Sequence, residues 1–151
     1  IMSQYLKSKS VIHITDTLEI GGAEKMLIEI ANKFKKEGHK VSVLILLKKK
    51  NPLIRKINKE IDVYELERKN KYNLFFAKDV IKIINMYDIV HIHMRHNLRY
   101  VWYAKIFFGL KSKIIFHDHI GKKNLNDFPH FINKTFFMVH FLSSISIYCI
   151  L

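Results

Sequence analysis

A single cysteine, Cys149, in 151 residues excludes an intramolecular disulfide and fits a reducing compartment. Acidic side chains are scarce: 13 Asp and Glu stand against 26 Lys and Arg, a formal net charge of +13. Lys, Asn and Ile all have AT-rich codons, so base composition accounts for this bias as well as a polyanionic partner would. No helix-turn-helix or RNP strand accompanies the basic residues, and no nucleic-acid partner is expected. Residues 1–10, IMSQYLKSKS, lack an apolar stretch long enough for a signal peptide. Internal repeats, low-complexity runs and interdomain linkers are also missing. The length suffices for one domain with a sizeable core and is too short for two ordinary ones.

Long apolar runs are confined to the end of the chain. TFFMVHFLSSISIYCIL, residues 135–151, has only His140 as a chargeable group, yet falls just short of the roughly 20 residues that span a bilayer. It reads as a buried helix followed by a buried strand with Ser143 and Ser144 at the joint. A tail anchor is the alternative.

Short β-branched segments alternate with helical patterns along the rest of the chain. Strands are expected over residues 11–15, 40–47, 61–67, 88–94, 113–119 and 144–150. Between the first two, Met26, Leu27, Ile30, Ala31 and Phe34 fall on one helical face, and Gly38 stops the helix. Leu74, Ala77, Ile81 and Ile84 form a second stripe. NLRYVWYAKIFFGL supplies a third helix, ended by Gly109. LKKKNPLIRK reads as a solvated loop and a short helix start. Strands apolar on both faces and alternating with helices imply a Rossmann-like α/β domain, a parallel sheet with helices on both faces. Residues 1–10 are a tail and residues 11–151 the domain.

In such sheets ligands gather at the carboxyl ends of the strands. Those ends carry TDTLEIGG, HMRHN and HDHIGKK. Gly21 and Gly22 lead into a helix whose first residues are Ala23 and Glu24. A glycine corner there presents free N–H groups and the positive end of the helix dipole to an anion, although a plain turn uses glycines too. Met26 and Leu27 stand where the third glycine of G-x-G-x-x-G would be sought, so a dinucleotide is not the natural ligand. Asp16, at the end of the first strand, is a candidate for lining the cleft.

IHITDTLEIGGAEKMLIEIANKFKKEGHKVSVL, with YDIVHIH and KIIFHDHIG at the spacing of later strands, resembles the opening of glycosyltransferase family 4, the retaining GT-B enzymes. The resemblance covers residues 11 to about 121. It implies an N-terminal, acceptor-side domain that closes over a nucleotide-diphosphate sugar, the donor substrate, held mainly by a C-terminal domain. Gly21 and Gly22 would face the donor phosphates. The histidine that contacts the transferring sugar would fall on His119, with His117 second. The acceptor cleft would include Asp16, His93 and Arg95. A glycan or lipid-linked acceptor is implied, with no cofactor and no metal. The family's second domain, with its basic pair and E-x7-E element, has no counterpart in the sequence. The chain alone is therefore expected to transfer little sugar without that C-terminal domain or a second chain.

Two rival readings remain. His91 and His93, with His117 and His119, sit two apart on strands, so each pair can face one way, and with Asp118 or His96 they could ligate zinc as a metal hydrolase. For His13 and His91 the alternative is a hydrogen-bonded strand histidine. Arg95, Arg99, Lys105, Lys111 and Lys113 surround Trp102, Tyr103, Phe107 and Phe108, which suits either an ordinary packed helix or a helix resting on anionic lipid. A scaffold half that recruits a second chain to the membrane would use the latter. A cytoplasmic location is expected, with peripheral contact at the inner membrane face.

Overall fold

The computed structural model describes residues 9–70, 73–117 and 147–150, the last four as backbone. The strands are β1 (Ser10–Thr15), β2 (Lys40–Leu47), β3 (Asp62–Arg68), β4 (Ile89–Ile92), β5 (Lys113–His117) and β6 (Ile147–Ile150). Three helices alternate with them: α1 (Gly22–Lys36), α2 (Ala77–Ile84) and α3 (Arg95–Phe108). A 3-10 turn over Pro52–Lys56 occupies the basic patch, with proline at its start and Leu53 buried. Of the apolar run at residues 135–151, only the backbone of β6 lies within the described residues. Among the described residues no helix is long and apolar enough to cross a membrane.

All the strand pairings are parallel, and the sheet order is β3-β2-β1-β4-β5-β6. This order reverses direction at β1. The chain leaves β1 toward α1 on one face of the sheet and leaves β4 toward α3 on the other. In open α/β sheets of this order the ligand crevice lies between two such loops at the carboxyl edge, which is where a ligand is expected here.

Side-chain alternation assigns each strand residue to a face. Ile12, Ile14, Val90, Ile92, Ile114 and Phe116 pack with α2 and α3 in the larger core cluster. Val41, Val43 and Ile45 of β2 pack with α1 and the 3-10 turn in the other. The expected helices on both faces are present. The buried side of α1 is Leu27, Ile28 and Ala31. Met26, expected in the stripe, is 41% exposed, because the i, i+4 row running through Leu27 and Ala31 is the one that meets β1 and β2. Leu74 likewise lies before α2 and is exposed. Gly38 and Gly109 end their helices at φ +88° and +75°, backbone conformations that disfavour side chains.

Candidate active site

The loop from β1 to α1 is fixed by its own side chains and by the neighbouring connection. Leu18 is fully buried against α1 and β2. Its N–H donates to Asn51 Oδ1 at 2.7 Å, and its carbonyl accepts from Leu53 N at 3.2 Å. Asn51 Nδ2 donates in turn to the Lys49 carbonyl and to Glu65 Oε2. Thr15 Oγ1 donates to the Thr17 carbonyl at 3.1 Å. The glycine corner is thus carried on an anchored loop.

Gly21 is the N-cap of α1, with extended backbone at φ −152°, and Gly22 is the first helical residue. Neither has a positive φ, so neither conformation requires glycine. Among the described residues a Cβ on Gly22 would meet nothing within 4 Å. At Gly21 the nearest atoms to a Cβ are those of the Glu24 carboxylate, so glycine at this N-cap makes room for that side chain. The described packing leaves Gly22 unexplained, and close approach by a group outside the described chain is a physical rationale for it. The Glu24 carboxylate in the first turn occupies the place an anion would take.

Across the crevice, Asp16 follows Ile12 and Ile14 onto the α3 side. Its Oδ2 pairs with His96 Nε2. With its amide oriented to satisfy both groups, Asn97 donates to Asp16 Oδ1 at 2.7 Å and accepts from the Asp16 N–H at 3.3 Å. Asn97 is buried in the first turn of α3, and Arg95 precedes it as the first residue of that helix. Arg68, the last residue of β3, is 1% exposed, and its guanidinium carbon lies 3.8 Å from the centre of the Tyr100 ring. Burial lowers the Arg68 pKa, opposed by Tyr100 and Asp16; burial raises that of Tyr100. Arg68 and Asn97 carry no motif and were not singled out by sequence. A charged residue closing the strand segment DVYELER was the available signal.

On the other face of β1 and β4 the histidines converge. His13 and His91 are register partners, and His93 lies one pleat further along β4. All three are buried, and one ring nitrogen from each lies within 4.8 Å of the others. His13 Nδ1 and His93 Nε2 share a hydrogen bond at 3.1 Å. His117 of β5 stacks on His91, with ring centroids 5.8 Å apart and planes within 6°. Burial, followed by the charge of His91, lowers the His13 pKa to about 3. His93, assigned by sequence to the acceptor cleft, is thus 1% exposed among imidazoles on the α1 side, whereas Asp16 and Arg95 stand at the crevice. His119 and Asp118 lie outside the described residues.

A parallel sheet with helices on both faces and a glycine-led first helix defines a Rossmann-like α/β domain. The chain belongs to glycosyltransferase family 4, whose family model matches residues 20–142. The chain shares its fold with HepE (Alr3699) of Anabaena, solved in complex with UDP and glucose (TM-score 0.56, 16% identity over 74% of this chain and 30% of that one). It also shares it with an alpha-glucosyltransferase solved with UDP and a 13-mer DNA containing a HMU base (TM-score 0.57, 13% identity, 95% of this chain and 38% of that one). The chain thus spans about a third of the length of these two proteins. Comparison with curated proteins gives no significant match.

Proposed function

We propose that this chain is the acceptor-side half of a retaining glycosyltransferase, moving a hexose from a nucleotide-diphosphate sugar to a glycan or lipid-linked acceptor without a metal in the transfer step. The observation that carries the reading is Gly22, whose backbone and surroundings among the described residues give no internal reason for a residue without a side chain, beside the N-cap Gly21 that lies under the Glu24 carboxylate. The donor diphosphate approaches Gly21 and Gly22 at the start of α1, and the Glu24 carboxylate swings aside as it arrives. N–H groups at a helix start need no rearrangement to meet that charge, so they stabilise it as it grows on the leaving diphosphate. Asp16, held by His96 and Asn97, faces the acceptor together with Arg95. His119 positions the transferring sugar, with His117 next to it on the chain. A donor-binding domain completes the site, on this polypeptide or on a second chain. Exposed Tyr103, Ile106, Phe107 and Phe108 on α3 support contact with the surface of a membrane bearing the acceptor.

The test joins the chain to a donor-binding domain of the family and follows transfer from a panel of nucleotide-diphosphate sugars by anomer-resolved NMR. Transfer with retained configuration, reduced at least about tenfold by Gly22→Val, is expected, since a misplaced diphosphate costs one hydrogen-bond equivalent or more. Transfer indifferent to valine at both Gly21 and Gly22 would remove the corner from the donor site. Assembly with the second domain without turnover would favour the scaffold role.

A further inference from the structure

The sheet face under α1 carries an arrangement that the transfer reading does not use. β2 presents Val41, Val43 and Ile45 to α1, as expected for a strand buried on that side. The neighbouring strands β1, β4 and β5 instead present His13, His91, His93 and His117, with ring centroids 4.2–5.9 Å apart. His13, His91 and His93 are 0, 5 and 1% exposed, and Phe34 of α1 lies 6.0 Å from the His13 ring. Burying imidazoles where isoleucine or valine would serve costs desolvation that packing does not return. His13 Nε2 has no hydrogen-bond partner among the described residues.

We propose that His13, His91 and His93 bind one late first-row divalent transition ion, of the zinc, cobalt or nickel type, as its three protein ligands. Four observations carry this. The donor set is imidazole alone, which suits these ions and not magnesium or calcium. One nitrogen from each of the three rings already lies within 4.8 Å of the other two. Nitrogens bound tetrahedrally at about 2.0–2.1 Å stand roughly 3.3 Å apart, so the rings close by at most about 1.5 Å, within the reach of side-chain rotation. Two of the rings are at 3.1 Å, and replacing their shared hydrogen bond by two metal bonds asks only that the donor ring move its proton to its other nitrogen.

The backbone beneath is rigid, because His13 and His91 are paired residues of adjacent parallel strands. A hollow of about 200 Å³, whose lining includes Lys9, Val11, Phe34 and His91, opens toward the cluster at the amino edge. The ion ties β1 to β4, on the face of the sheet away from Asp16. Its role is structural, so it leaves the metal-free chemistry of transfer untouched.

The test uses the full chain without a histidine tag, freed of metal with chelator and titrated with Co²⁺ and then Zn²⁺. One equivalent is expected, giving the intense visible absorption of tetrahedral cobalt, with a rise in Tm of about 5–10 °C at a hundredfold excess of free ion over Kd. His13→Gln and His93→Gln abolish both effects, whereas His96→Ala leaves them. X-ray absorption of the zinc-loaded wild type, with three imidazole nitrogens at about 2.0–2.1 Å, keeps the test decisive if the glutamine variants do not fold. An oxygen-dominated shell, no stoichiometric uptake, or uptake lost with His96 would overturn the proposal. None of these outcomes bears on the transferase reading, which rests on the glycine corner and on Asp16, neither of which is a ligand here.

Discussion

Two polar clusters lie back to back on β1 and β4, and they are built in opposite ways. At the carboxyl edge, Asp16 is one-sixth exposed and paired to His96 and Asn97, with the buried Arg68 and Tyr100 nearby. On the α1 face the cluster holds imidazoles and an apolar neighbour, Phe34, and His13 is driven neutral. The first group pairs its polar atoms with one another and leaves an edge in water. The second survives burial by giving up charge. Charged chemistry therefore belongs at the crevice, and ligation by neutral nitrogen belongs beneath α1.

The sharpest way to break the contrast is Arg68→Ala. It removes a buried cation stacked on Tyr100, together with the volume of its stem, and a loss of about 3 kcal/mol in urea denaturation is expected. A loss below about 1 kcal/mol would mean that Arg68 is not integral to the crevice.

Acid tests the other cluster. The folded pKa of His13, about 3, lies below the ordinary imidazole value of 6.5, so the unfolded chain binds the extra proton between these values. Stability from neutral His13 is then complete above pH 6.5 and declines as pH falls toward 3. The slope is about 1.4 kcal/mol per pH unit, or about 2 kcal/mol between pH 6.5 and 5. Urea melts of chelator-treated protein should show this decline, and His13→Leu should flatten it. An equally steep acid limb in the variant would place the titration elsewhere.

Gly22→Ala sharpens the comparison by separating folding from binding. Its Cβ meets open space and alanine favours the helix, so stability should rise by about 0.5–1 kcal/mol while donor affinity falls. A gain in both would return the glycine to a purely local role. The smallest effect is expected from Lys49→Ala, which removes a half-exposed ion pair with Glu19 and should change stability by less than about 0.5 kcal/mol.

Much of this architecture was legible in the sequence, because alternation and helical spacing are local. Val11 to Thr15, the β2 run and the stops at Gly38 and Gly109 each announce themselves within a few residues. The third strand and second helix began one to three positions later than their patterns suggested, where turn residues compete with periodicity. The sites were less legible for a physical reason. His13 lies about 80 positions from His91 and meets it only because the sheet places β4 beside β1, a fact of topology that no spacing encodes. The sequence did pair His91 with His93, yet alternation alone could not say which face they shared with His117. Arg68 reads as one more charge in ELERKN until β3 is laid beside α3. The glycine pair was visible from the start, and the structure added that no backbone strain explains it.

Asn51 sits in the connection that follows β2, far along the chain from the corner it steadies, and its side chain holds Leu18, Lys49 and Glu65 together. If the proposed donor site is right, the stretch of basic residues around it is a remote adjuster of donor fit. Lengthening or shortening that stretch would retune substrate affinity from a distance while every strand kept its neighbours, a lever open to natural variation and to engineering alike.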